Sequence, residues 1–288
     1  MRLRSFIVTV VALFVIANVI VAAIKRCGLD LAVEEVETTH PEAPMLSGPV
    51  GIEGLSLSVP AGAVYGFLGP NGAGKTTTIR TLLDFIRPNT GSASVFGLDT
   101  HRASLAIRGR VGYLPGELSL YEGMTGREFL RYMANLRGGV AWSRVEELAE
   151  RLAANLAKPI RILSHGNKQK LGLIQAFMHQ PELLILDEPT QGLDPLVQHE
   201  FYRLIAEARA AGRTVFLSSH VLPEVERTCD RVGIIREGVL VAVEDVASLK
   251  AKALRRLEIR FAAPPPLAAF EGLPGVRDLR IENSSLHS

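Results

Sequence analysis

The apolar positions follow three distinct patterns along the chain. Ser5 to Ile24 (SFIVTVVALFVIANVIVAAI) carries no charge, and Ser5, Thr9 and Asn18 are its only polar residues. About 20 such residues can cross a hydrocarbon core of roughly 30 Å as a helix. Residues 1–27 are therefore expected to form a membrane-spanning helix, with a buried helix or a start-site artefact as the alternatives. Arg2 and Arg4 before it and Lys25 and Arg26 after it leave its orientation open. The second pattern is a set of short apolar runs, AVYGFL, LLILD and TVFLSS, whose length and bounding turns predict buried parallel strands. The third is i, i+3, i+4 spacing in TTIRTLLDFI, GREFLRYMANLRG and SRVEELAERLAANL, which predicts helices. Near the end, LEIRF and RDLRI alternate around a proline-rich turn and a short helix-like piece, and no final strand is evident.

These patterns give an organisation: residues 1–27 membrane segment, 28–50 an acidic, turn-rich linker, 51–250 an α/β domain with a mixed or parallel sheet, and 251–288 a small α+β appendage. A helical subdomain is expected over about 117–163, with Arg131, Arg144 and Arg151 on its solvated face. The apolar fraction of 47% and net charge of +2 suit a globular chain. With no strongly basic field, nucleic acid is not expected as a partner. Cys27 and Cys229 lie too far apart in sequence for a CxxC motif, which excludes a zinc ribbon or disulfide scaffold.

The chemistry gathers where strands end. AVYGFL leads into GPNGAGKT, Gly69 to Thr76, and then into a helix. Strand, G-x-x-x-x-G-K-T, helix is the context of a phosphate-binding loop. The glycines let backbone N–H groups crowd phosphate oxygens, Lys75 reaches the outer phosphates, and Thr76 offers a hydroxyl to Mg²⁺. LLILDE ends in Asp187 and Glu188. Asp187 is a metal candidate and Glu188 the candidate base for an attacking water. His220 closes TVFLSSH, placed to hydrogen-bond a γ-phosphate or order water. Ser164, in LSHGNKQK, is a candidate helix N-cap, at a helix end suited to an anion.

Together these segments resemble the nucleotide-binding domain of ABC transporters, over about Ile52 to Leu249. GPNGAGKTT resembles its Walker A motif, LLILDE its Walker B, GLDP its D-loop, SSH its switch histidine and LSHGNKQK its LSGGQ signature. GYLPGEL, MTGREFL and QAFMHQPELLILDEPTQGLDP are closest to drug-exporter-like ATPases that work with separate ABC-2 type permeases. The resemblance implies that Gly69, Pro70, Asn71, Gly72, Ala73, Gly74, Lys75, Thr76 and Thr77 hold ATP, and that Thr76 and Asp187 serve Mg²⁺. It implies that Glu188, His220 and Lys75 are catalytic. It also implies a head-to-tail homodimer, in which Ser164, Gly166 and Asn167 touch the ATP held by the other chain and Asp194 lies at the seam. The implied place is the cytoplasmic face of the cell membrane, where ATP hydrolysis drives export.

Three features depart from the family pattern. A glutamine expected after GYLP is replaced by Gly116 and then Glu117. The signature has His165 for glycine and Asn167 for glutamine. No Phe, Tyr or Trp lies between Cys27 and Leu57, so the aromatic that stacks on adenine in the family's first strand has no counterpart. That strand looks replaced by the linker and the membrane-like segment. Tyr65 sits too near the loop to serve. Stacking of a base on an aromatic is worth about 1–3 kcal/mol elsewhere, so ATP is expected to bind weakly. Two alternatives stay open: a degenerate ATP-binding subunit with a structural role, and a soluble ABC ATPase of DNA repair or translation.

Overall fold

The computed structural model describes residues 29–36, 51–252, 258–260, 280–282 and 285–287. Residues 1–27, expected to span a membrane, lie outside them. Among the described residues no helix is long and apolar enough to cross a membrane.

Two sheets carry the main unit. The first is four-stranded, with β1 (Leu29–Val36), β2 (Ile52–Val59), β4 (Thr90–Val95) and β5 (Leu98–Asp99) in the order β2-β1-β4-β5, antiparallel throughout. β1 corrects the sequence reading of 28–50 as linker. Leu29, Leu31 and Val33 alternate with Asp30, Ala32 and Glu34, a period-two signal masked by the acidic, proline-containing stretch that follows. The strand pairs on both sides, Leu31 opposite Leu57 of β2 and opposite Ala93 of β4. The first strand is thus present, and it holds no aromatic residue.

The second sheet has six strands: β3 (Val64–Leu68), β6 (Val111–Leu114), β7 (Leu183–Asp187), β8 (Thr214–Ser219), β9 (Arg231–Arg236) and β10 (Val239–Asp245), ordered β10-β9-β3-β8-β7-β6. All neighbours are parallel except the β9–β10 hairpin. Helices cover it, which is why VYGFL, LLILD and TVFLSS read as unbroken apolar or small runs rather than alternating ones. Phe216 packs between Tyr65 and Phe67, with ring centroids 5.9 and 5.5 Å away. Each such buried ring contributes about 1.5–3 kcal/mol.

The α-helices before β9 are α1 (Lys75–Leu82), α2 (Ser104–Arg110), α3 (Gly126–Leu136), α4 (Trp142–Arg151), α5 (His165–Phe177), α6 (Pro195–Ala210) and α7 (Leu222–Thr228), and an eighth, Val246–Lys252, follows β10. α3 starts on a capping box, Thr125 with Glu128, and buries Phe129, Leu130 and Ala134. α4 buries Val145, Leu148 and Ala149. Arg151, expected on a solvated face, instead joins α4 to α6. Its guanidinium donates to Glu200 at 2.5 Å and to both carboxylate oxygens of Glu207 at 2.7 and 2.8 Å. Arg144 pairs with Glu147, and Arg131 lies over the Trp142 ring.

Ala247–Ser288 form a separate compact unit. Its described strands, β11 (Glu258–Arg260), β12 (Arg280–Glu282) and β13 (Ser285–His287), make an antiparallel sheet ordered β11-β13-β12. β11 and β12 fall in the alternating runs LEIRF and RDLRI. β13 is the closing strand that the sequence did not reveal, because SLH is too short to show a period.

Candidate nucleotide site

The loop Gly69–Gly74 leaves the end of β3 and turns into α1. Gly74 is the N-cap of α1 at φ 104°, and no side chain caps the helix. A side chain there would meet the left-handed backbone penalty, and its Cβ would stand 2.8 Å from Ile52 Cγ2. The first N–H groups of α1 are therefore left for an anion. Lys75 is buried, and its ammonium donates to the carbonyls of Gly69 and Pro70 at 2.7 and 3.1 Å. It also lies 3.1 Å from Glu188 Oε1 in an ion pair.

The partners of Lys75 and Thr76 come from neighbouring strand ends. Thr76 Oγ1 donates to Asp187 Oδ2 at 2.7 Å, and Ser218 Oγ donates to Asp187 Oδ1 at 2.5 Å. A hydroxyl and a carboxylate converging this closely form a hard-oxygen donor pair. Mg²⁺ is commonly held by one or two such groups, with phosphate and water completing the shell. The residues thus fit Mg²⁺ bound together with a polyphosphate. Among the described residues no cluster of three or more His, Cys, Asp or Glu offers a stand-alone metal site.

Glu188 follows β7 in a left-handed conformation, φ 47°. Its N–H donates to Ser218 Oγ at 3.0 Å, and its Oε2 lies 2.9 Å from His220 Nδ1. His220 therefore meets Glu188 directly. All five residues stand at the carboxyl ends of β3, β7 and β8, where open α/β sheets gather ligands.

The signature residues form a second cluster. Ser164 is the N-cap of α5, and its Oγ accepts from the Asn167 N–H at 3.4 Å and from the Asn167 side-chain amide at 2.9 Å. Gly166 passes so close to the D-loop that a Cβ would stand 2.2 Å from the Gly192 carbonyl oxygen. A Cβ on Gly192 would in turn stand 2.6 Å from the His165 ring. Asp194 caps α6, accepting from Val197 N–H at 3.0 Å, and this bond is the main cause holding its carboxyl below the usual range. No hydrogen bond or ion pair joins Ser164, Gly166, Asn167 or Asp194 to Gly69–Thr76 among the described residues.

Three further residues bind the machinery together. Gln169, buried on α5, donates to the carbonyls of Glu188 and Pro189, both at 3.2 Å. Glu224 accepts from Thr190 at 2.6 Å and from Ser219 at 2.8 Å, tying the loop after β7 to the end of β8. Ser218 spans Asp187 and Glu188. Sequence reasoning passed over all three, because their partners are set by strand register and helix placement rather than by spacing.

The departures are also placed. Gly116 abuts the Asp187 carboxylate, since a Cβ there would stand 3.1 Å from its Oδ2, whereas Glu117 is exposed. Tyr65 is a core residue whose buried hydroxyl finds no hydrogen-bond partner, and burial pushes its pKa up to about 12.

The family model for ABC transporters matches residues 52–191. Over 221 residues the chain is 39% identical to the bacitracin transport ATP-binding protein of Bacillus licheniformis, covering 76% of this chain and 72% of that protein. It is 37% identical to the daunorubicin/doxorubicin resistance ATP-binding protein of Streptomyces peucetius, over 71% of this chain and 63% of that protein. An ABC transporter ATP-binding protein of Nostoc is 43% identical, and the chain spans 59% of its length. A solved ATP-binding subunit of an ABC transporter is similar at TM-score 0.67 and 29% identity, over 78% of this chain and 92% of that one. A dimeric ATP-binding cassette solved with ADP and Pi shares the fold at TM-score 0.68 and 17% identity, over 76% of this chain and 98% of that one. The chain belongs to the ABC transporter ATP-binding family.

Proposed function

We propose that this chain binds ATP with Mg²⁺ and hydrolyses it as one half of a homodimer that drives export through a separate ABC-2 type permease at the cytoplasmic face of a membrane. The observation that carries the reading is the meeting of Lys75, Thr76, Asp187, Glu188 and His220 at three adjacent strand ends, with the signature helix end unconnected to them.

Lys75 and the α1 amides bind the β- and γ-phosphates. The phosphates compete with Glu188 for Lys75, which releases the Glu188 carboxylate to face water. Glu188 then takes a proton from that water as its oxygen bonds to the γ-phosphorus, and the bond to the β-phosphate oxygen breaks, leaving ADP and phosphate. His220 holds the Glu188 carboxylate in place. Mg²⁺ at Thr76 and Asp187 supplies charge neutralisation on the phosphates. Ser164 and the α5 N-terminus complete the phosphate cradle from the partner chain, so turnover requires two chains.

By their names, the relatives serve bacitracin transport and daunorubicin/doxorubicin resistance. An amphipathic drug-like cargo is the corresponding expectation here, with its selection left to the permease. The test is Glu188→Gln run on a sizing column with Mg·ATP and with Mg·ADP. The reading expects a dimer with ATP alone. A folded protein that stays monomeric at millimolar ATP would contradict it. That result would favour an ATP-binding subunit without turnover, the reading that Gly116 and the aromatic-free first strand support.

A further inference from the structure

We propose that Ser218 is a positioning residue that sets the geometry of both carboxylates, Asp187 and Glu188, through one hydroxyl. The proposal rests on reading those two residues as the metal ligand and the base.

β7 and β8 run parallel with Asp187 directly opposite Ser218. At this register the Ser218 hydroxyl uses both of its capacities within the site. Its O–H donates to Asp187 Oδ1, and its oxygen accepts the Glu188 N–H at 3.0 Å. Ser218 is fully buried, so no water stands ready to replace either bond.

Each bond has a separate consequence. The bond to Oδ1 fixes the rotation of the Asp187 carboxylate, which leaves Oδ2 aimed at Thr76 and the metal position. Oriented carboxylate ligands commonly depend on such supporting bonds. The bond from the Glu188 N–H holds a non-glycine residue in the left-handed region, φ 47°. That conformation is strained and persists only where its surroundings hold it. The carbonyl of the same residue accepts from Gln169, so the Glu188 peptide groups are clamped on both sides. Relaxing the clamp would swing the Glu188 side chain away from Lys75 and His220, its partners at 3.1 and 2.9 Å.

The neighbouring serine does different work. Ser219 donates to Glu224 and accepts the Val221 N–H, so it serves the turn that follows β8 and touches neither carboxylate. The two serines therefore make an internal comparison of nearly equal sequence position and burial.

The experiment compares Ser218→Ala, Ser218→Thr, Ser219→Ala and Glu188→Gln in the full chain. ATPase rate is measured against ATP and Mg²⁺ concentration, and ADP affinity and thermal melting are measured alongside. Ser218→Ala is expected to lower kcat about 10- to 100-fold and to raise the Mg²⁺ needed for half-maximal rate. KM for ATP should not rise, ADP affinity should equal or exceed the parent's because Glu188 leaves Lys75, and the melt should stay close to the parent. Ser218→Thr, which keeps the hydroxyl, should recover most of the rate. Ser219→Ala should cost far less than Ser218→Ala.

A Ser218→Ala rate within about twofold of the parent would overturn the proposal. So would a parallel loss of kcat, ADP binding and melting temperature without rescue by threonine, which marks a purely structural residue. Turnover that survives in Glu188→Gln removes the reading beneath the proposal, and the proposal with it. Turnover lost in Glu188→Gln but kept in Ser218→Ala removes the proposal alone.

Discussion

Lys75 Nζ lies 3.1 Å from Glu188 Oε1, so the proposed phosphate-binding cation and the proposed base hold one another. Both side chains are largely buried, where an ion pair is less screened than at the surface. A bound polyphosphate must take Lys75 from Glu188. Neutralising the carboxylate removes that competitor. Glu188→Gln should therefore bind ADP and ATP about tenfold more tightly, equal to roughly 1.4 kcal/mol, while hydrolysis is lost. Titration with a fluorescent ADP analogue checks this. Equal or weaker affinity in the variant would show that the pair does not compete with nucleotide.

Asn167 is a departure from the family signature with a visible consequence. Its side-chain amide donates to Ser164 Oγ at 2.9 Å, which leaves the serine proton free to be given outward. Asn167→Ala removes that bond but keeps the N-cap, because the cap uses the Asn167 backbone N–H. Loss of one such bond predicts an approximately tenfold lower ATPase rate, about 1.4 kcal/mol of transition-state stabilisation. ATP affinity of the single chain should be unchanged. A steady-state assay beside an ATP titration separates the two effects.

Arg151 predicts a pH-dependent contribution to stability. It donates to Glu200 and Glu207 on α6, and the bond from Arg151 is the largest cause holding the Glu207 carboxyl below its ordinary 4.5. A depressed carboxyl stabilises the fold fully above the unfolded value, about 4.5, and the effect is lost as pH falls through the lower folded value. Glu207 is half exposed, so solvent screening reduces its share. Arg151→Ala should cost about 1 kcal/mol near pH 7, lowering the melting temperature by about 2–4 °C. The gap between parent and variant should narrow as pH falls below about 4.5. Thermal melts across that range would contradict the account if the gap stayed constant.

Much of the site was legible because its chemistry is carried by contiguous residues. Gly69–Thr76, Asp187–Glu188 and His220 each follow an apolar run that could only be a buried strand, and the fold sets those runs side by side. What sequence reasoning missed depends on contacts across the fold. β1 was hidden because its alternation is brief and precedes an acidic stretch. Ser218, Gln169 and Glu224 act through strand register and helix placement, which no spacing reveals. Arg151 looked solvated because its acidic partners lie on a helix 49 and 56 residues away. The partner of His220 within the chain, Glu188 at 2.9 Å, lies 32 residues away on another strand end and was likewise not legible.

The central claim is that Ser164 of one chain completes the site built on Lys75 of another. Mixing Lys75→Ala chains with Ser164→Ala chains tests it most directly, since each variant alone lacks one half of every composite site. A mixed dimer contains one site with both halves intact. The account predicts that the equimolar mixture recovers up to about a quarter of the parental ATPase rate, from random pairing with one working site per mixed dimer. A mixture no more active than the mean of the two variants, with mixed dimers demonstrably formed, would contradict it.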